Sequence, residues 1–485
     1  MAWTMKRRDF LKSAVGGCAL CAGCSGPLRW GAWGAAPACD RISGLVSPGC
    51  RGTKVRVAKI YLGTPQAHWP TPTMDLNAEM KRYEAEFAKR TKDFADIDFV
   101  CNQLVSSAEQ AKQVCQGLKD VDGILLIHLS MRAGGFVHEF LQAGKPTMLF
   151  AAPYSGHEWI SFGSVTKSKE GALLDCVLTS DLDQLAAAVR PFRAIHHLKE
   201  AKLINVSTRP MDASIVAFIR DKFGTQVKQI GREPVLAAYE SVPEADAQAE
   251  TNRLIWGAQR IVEPSREEIY KSCRLALAFQ KVLDDEKATA ITVDCYGTMY
   301  HQLPAFPCVG EVRLNGLGLA GICESDLRTA ITFMMLQALT GRPGFVSDPT
   351  MDLSQHGIIL AHCLGTPKMA GPDGPAAPYR LRSIMERQEG AVPQVFMRVG
   401  QRVTQAEFIG NDMMQYFTGT IADTPDTDRG CRTKITVKVD GDPDALWRNW
   451  SNGLHRVTCY GDVTEDLRRF CKFKGIRMID EAAKA

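Results

Sequence analysis

From Lys54 onward the chain alternates short apolar runs with amphipathic stretches, and few folds satisfy that pattern. KVRVAKIYLG reads as a strand, DLNAEMKRYEAEFAKRTKDF as a helix with one apolar face, and DIDFV as the next strand. SAEQAKQVCQGL, GILLIHL, GGFVHEFLQAG and PTMLFA continue the alternation. Parallel strands need a crossover between them, and helices used as crossovers cover both faces of the sheet. A second series opens with KLINVS, MDASIVAFIRDKF and QVKQIG, then two long helices at 245–261 and 266–284, then the strand ATAITVDC. The fold class expected is α/β, with two doubly wound α/β domains in succession.

Beyond Asp348 the texture changes. Helical periodicity fades, and the Gly/Pro-rich loop GTPKMAGPDGPAAPYR separates β-like runs such as QVFMRVG, QRVTQAEFIG, MMQYFTGTI and RTKITVKVDG. These predict a β-rich, barrel-like C-terminal domain, with a short helix pair in DALWRNWSNGL and VTEDLRRFCKFKGI. The expected division is a signal segment at 1–40, α/β domains at 53–190 and 191–345, and a β-rich domain at 346–485 that completes the site.

Composition narrows the function classes. A hydrophobic content of 45% with 23% charged residues suits a soluble globular protein. A net charge of +4, with Lys and Arg scattered, gives no footprint for nucleic acid. No G-x-G-x-x-G follows the first strand, and neither a phosphate-binding P-loop motif nor a G-x-S-x-G elbow occurs. The N-terminus carries Arg7-Arg8 followed by Asp-Phe-Leu-Lys and a weakly apolar stretch, which resembles a twin-arginine (Tat) export signal. Ala36-Pro37-Ala38 offers a cleavage site, and Val15-Gly16-Gly17-Cys18 loosely resembles a lipoprotein box, so both a periplasmic and a lipid-anchored product stay open. Of the 16 cysteines, Cys18, Cys21, Cys24 and Cys39 lie in this leader region. The others are spread through apolar contexts and read as reduced, packed thiols.

The segment GICESDLRTAITFMMLQALTGRPGFVSDP concentrates the chemistry. Ser325 is placed to cap a helix over Asp326–Thr340, with Gly341 at its end and Pro343 as the stop. That helix carries the chain about 22 Å away from Glu324. The return to Asp348 spans up to about 26 Å if extended, so the two acids can meet. Two carboxylates in an apolar setting repel unless they share a proton or a cation, and a divalent metal answers that. The alternative is that Glu324 and Asp348 are unrelated capping and turn residues. His362 in GIILAHCLGTP and His455 in NGLHRVTCYGD occupy strand-like apolar frames. Either they are core histidines, or with the acids they make a Glu/Asp/His/His ligand set. Asp462, just after Gly461, reads as a turn residue.

PCVGEVRLNGLGLAGICESDLRTAITFMMLQALTGRPGFVSDP, with the later AHC and LHRVTCYGD, resembles the L-fucose isomerase family and its L-arabinose isomerase relatives. The resemblance is strongest over about 290–365 and 450–480. It implies a Glu, an Asp 24 residues later and a distant His around a catalytic divalent ion, usually Mn²⁺; these fall on Glu324, Asp348 and His455. His362 matches the extra histidine of the arabinose isomerase set. The implied reaction is aldose–ketose interconversion of a sugar through an enediol, with Glu324 and Asp348 moving the proton, in a homo-oligomer. Two other classes stay open: a non-catalytic sugar-binding protein on the same scaffold, and a metal-dependent hydrolase or lyase with the same ligands. His68 and Trp69 after the first strand, and Asp294 and His301 after ATAITV, are further candidates for substrate contact. An aromatic packing a loop is the plainer reading of Trp69.

Overall fold

The computed structural model describes residues 53–450 and 453–484; the twin-arginine and lipoprotein-box motifs lie outside them. The first strands form a five-stranded parallel sheet: β1 (Val55–Leu62), β2 (Ile97–Val105), β3 (Gly123–His128), β4 (Thr147–Ala151) and β5 (Leu174–Leu178). Their order is β2-β1-β3-β4-β5. Side chains alternate across it: Val55, Val57 and Tyr61 enter the core on one face, and Ala58, Ile60 and Leu62 enter that on the other. Burial on both faces is why the strands are near-continuous apolar runs.

The helix Gln184–Glu200 crosses to a second parallel sheet of β6 (Lys202–Val206), β7 (Gln226–Ile230), β8 (Ala290–Val293) and β9 (Ala320–Cys323), in the order β7-β6-β8-β9. Gly321 in β9 is required by close packing, because a Cβ there would lie 2.5 Å from the Glu311 Cα of the neighbouring helix. The helix expected over 245–261 ends at Gly257. Beyond it the backbone turns to pair with the edge of a later strand, Gln259 N–H donating to Tyr379 O and Val262 N–H to Leu381 O.

The C-terminal region is a ring. Its strands are β10 (Phe345–Asp352), β11 (Gly357–His362), β14 (Arg402–Ile409), β15 (Met413–Asp423), β16 (Thr433–Val439) and β17 (Arg456–Tyr460); β12 (Tyr379–Arg382) and β13 (Val392–Val395) form a separate ribbon. The order β14-β17-β10-β11-β16-β15, closed by β14 against β15, is antiparallel throughout. β18 (Arg477–Asp480) adds in parallel to the first half of β15. The strand expected in QVFMRVG is cut short: β13 ends at Val395, where its partner β12 runs out at Tyr379.

The helix of the acidic hairpin spans Leu327–Thr340, and every residue of it except Arg328 is buried. It packs between the helix Gln184–Glu200, β9, β14 and β17, so one core joins the second sheet, the ring and the C-terminal helix Thr464–Phe473. Gly341 ends it at φ 69° with its N–H donating to Gln337 O, a left-handed cap that suits glycine. The N-cap is Asp326, whose carboxylate accepts from Thr329 N–H at 3.1 Å, and not Ser325. Ser325 is displaced from that role because it and Glu324 both adopt left-handed backbone, at φ 56° and 63°.

Candidate metal centre

Four chain segments bring their ends to one place. Glu324 follows β9 on the strained turn that leads into the buried helix. Asp348 is in β10, opposite Ala361 of β11, so His362 stands one residue further along at the same end of the ring. On the other side β17 pairs with β10, with Ser347 opposite Arg456. That register continues to His455 and sets it beside Asp348.

The distances follow. His455 Nε2 lies 3.4 Å from Asp348 Oδ1 and 3.7 Å from Glu324 Oε2, and His362 Nε2 lies 3.7 Å from Glu324 Oε1. The two imidazoles meet at 69° with centroids 5.4 Å apart. Glu324, His362 and His455 each present a ligating atom within 4.8 Å of the others. None of these contacts is a good hydrogen bond. Asp348 Oδ1 and His455 Nε2, the atoms that face each other in the cluster, are buried without a hydrogen-bond partner among the described residues; on His362 the partnerless nitrogen is Nδ1, not the Nε2 that faces Glu324. Stranding such atoms in one cluster is costly unless something else binds them.

The electrostatics agree. Burial raises the pKa of Glu324, and the charges of Asp348 and Asp326 add to that rise. Burial likewise raises Asp348, with Glu386 contributing. Burial and the neighbouring His455 push His362 down to about 3, which leaves a neutral imidazole fit to ligate. For His455 burial opposes the charged form, yet the hydrogen bond and charge of Asp326, with Glu324 and Asp348, leave its pKa raised.

Asp326 is the residue that sequence reasoning missed. Its Oδ2 lies 3.1 Å from His455 Nδ1, so it orients the ring and leaves Nε2 facing the acids. A carboxylate behind a histidine is the usual outer partner of a ligating imidazole. The only sequence signal was its place two residues after Glu324, where it read as the start of a helix. Asp462 instead accepts from Thr464 N–H at 3.1 Å, as a turn residue does.

The proposed substrate residues lie apart from this cluster. Asp294 is engaged by Ser207, Thr298 and the Arg209 guanidinium. His301 pairs with Glu389 at 2.9 Å and lines a neighbouring hollow of about 170 Å³. Cys295 and Phe306 wall both that hollow and the cavity of about 120 Å³ that holds Glu324, Asp348 and His362. His68 and Trp69 follow β1 of the first sheet, where Trp69 packs on His157 at 4.6 Å.

No family model matches the chain. Over 308 residues it is 20% identical to the sulfoquinovose isomerase of Alkalicoccus urumqiensis, a match covering 60% of this chain and 67% of that protein. This is a distant likeness to a sugar isomerase, and it supports that general class for the chain.

Proposed function

We propose that the chain is a metal-dependent aldose–ketose isomerase acting through an enediol, and that its Arg7-Arg8 leader directs it through a Tat-type export route. The observation that carries the metal dependence is the pair of stranded buried atoms Asp348 Oδ1 and His455 Nε2, 3.4 Å apart beside Glu324, which a divalent ion would satisfy. Glu324, Asp348, His362 and His455 would hold Mn²⁺ or a similar ion. When bound, such an ion acts as a Lewis acid that makes the C–H beside a sugar carbonyl easier to ionise.

The chain's own residues do the rest. Glu324 and Asp348 both line the cavity, where they can serve as general base and general acid. One carboxylate removes the C2 proton of an aldose while the other, in its acid form, protonates O1 to give the enediol. The first then returns its proton to C1 as the second takes back the proton of the C2 hydroxyl, leaving the ketose and both groups as they began. Asp326 keeps the His455 ring turned towards the acids. Tyr296 and Phe306 line the cavity beside the acids and give it aromatic walls.

Sulfoquinovose, from the name of the relative, heads the substrate panel, with L-fucose and L-arabinose beside it. Incubation in D₂O with Mn²⁺ is the test: the expected outcome is exchange of the C1 or C2 hydrogen with formation of the ketose. Metal-loaded protein that exchanges no hydrogen with any aldose or ketose overturns the proposal.

A further inference from the structure

Beside the hard oxygen and imidazole donors, the same cavity is walled by five thiols: Cys295, Cys308, Cys323, Cys363 and Cys431. Eleven cysteines are described and none forms a disulfide, so this cluster is not a covalent staple. Packed singly as small hydrophobes they would be unremarked. Here two of them converge on a carboxylate. Cys431 Sγ lies 3.1 Å from Glu386 Oε1, and Cys363, Glu386 and Cys431 each offer a donor atom within 4.8 Å of the others. The Cys363 thiol also abuts that of Cys308.

Two segments of the ring and the separate β12–β13 ribbon supply these groups. Cys363 directly follows His362 at the end of β11, and Cys431 lies two residues before β16. The register that pairs His362 with Thr433 sets these two segments side by side. Gly365 permits the close approach, since a Cβ there would meet the Thr433 side chain at 2.4 Å. Glu386 arrives from the loop between β12 and β13.

We propose that Cys363, Cys431 and Glu386 form a second metal site, distinct from the Glu324/Asp348/His362/His455 cluster, that takes a thiophilic divalent ion such as Zn²⁺, with solvent completing the coordination. Thiolates favour zinc over manganese, and oxygen donors favour manganese and magnesium, so the two halves of the cavity differ in the ion they select. Each thiol that ligates gives its proton to solvent, and the bound ion ties the end of β11, the start of β16 and the β12–β13 loop together beside the hard site.

The test uses the full chain with Cys18, Cys21, Cys24, Cys39 and Cys50 replaced by Ser, so that thiolate absorbance reports only the described cysteines. Reduced, metal-free protein is titrated with Co²⁺ and then with Zn²⁺. The expected result is a thiolate-to-cobalt charge-transfer band that zinc abolishes. Cys363→Ser with Cys431→Ser removes that band while Mn²⁺ binding persists, and Asp348→Asn with His455→Asn keeps it. Should the double cysteine variant fail to fold, Cys431→Ser alone must weaken zinc binding by at least about 100-fold, the upper range for losing even an outer partner of a ligand. Folded parent protein without a thiolate band, or a band that survives the cysteine changes, overturns the proposal. Neither result bears on the D₂O exchange, so the two readings fail separately.

Discussion

Asp326 does two jobs with one carboxylate: one oxygen caps the buried helix through Thr329 N–H, and the other fixes His455 at 3.1 Å. Asparagine can keep the cap, because its amide oxygen is also an acceptor. It cannot keep the negative charge behind the imidazole. Asp326→Asn is therefore expected to leave the fold intact and lower Mn²⁺ affinity about 10–100-fold, as measured by metal titration alongside circular dichroism. The pH dependence of that affinity follows from the carboxylates facing the ion and from His455, whose raised pKa also puts a proton in the ion's way. Glu324 and Asp348 hold their protons at a pH where ordinary acids have lost them, burial being the main cause. An incoming ion must displace those protons, so affinity falls as pH drops through the raised pKa values, above the usual carboxylate range. His455 must likewise give up its proton to ligate, whereas His362, down at about 3, adds no competition there. Titration of Glu324→Gln should show a shallower pH dependence; a slope equal to that of the parent would remove Glu324 from the ligand set. The meeting of Glu324 and Asp348 was legible because it depends on one local hairpin, a helix ended by Gly341 and a return strand. The Asp326–His455 pair was not, since it depends on a β10–β17 register set by the closed ring. The thiol cluster was hidden for the same reason: each cysteine reads alone as a packed hydrophobe until β11 and β16 are paired.

The helix Gln184–Glu200 connects the first sheet to the rest of the molecule through buried ions as well as apolar contacts. Arg193 Nε donates to Asp96 Oδ2 at 2.7 Å, His197 Nε2 meets the same oxygen at 2.9 Å, and Arg190 reaches Asp466 of the C-terminal helix at 2.9 Å. On its other side Ala194 and Leu198 share the core of the Leu327–Thr340 helix. The alternation in sequence predicted the sheets but not this crossing, because a helix rich in Arg and His reads as a solvated face until its partners are placed. Burial works against the Asp96 charge, but the hydrogen bond from His197 and the charge of Arg193 outweigh it and hold its pKa down at about 2. A depressed carboxylate stabilises the fold above its unfolded pKa, near 3.9, and the contribution is lost as pH falls towards 2. The shift corresponds to about 2–3 kcal/mol. Asp96→Asn should cost more at neutral pH, about 3–5 kcal/mol, because Arg193 is left buried and unpaired. Urea unfolding at pH 7 and pH 3 checks both: the parent loses stability between them, and the variant loses less. Equal losses would mean that Asp96 is not the titrating group.

At the scale of the whole molecule, the ligand set draws on chain positions more than a hundred residues apart, yet its supports belong to one core. Glu324 hangs from the second sheet, while Asp348, His362 and His455 belong to the ring. The Leu327–Thr340 helix lies between them, packed on both. An ion held by all four residues therefore bridges two sheets that the sequence reads as separate domains. Binding to the folded state alone stabilises by RT ln(1 + [L]/Kd), about 2.7 kcal/mol when free Mn²⁺ is 100 times its Kd. Because the bridge spans the shared core, that gain should appear on both sides of it. Hydrogen exchange through opening of that shared core is the measurement: the amides of Ile291 in β8 and Val437 in β16 are expected to gain about 100-fold protection together on adding Mn²⁺. Leu125 in β3 belongs to the separate core of the first sheet and should gain less. Protection confined to Val437 would mean that the ring binds the ion without Glu324, and that the second sheet and the ring open independently.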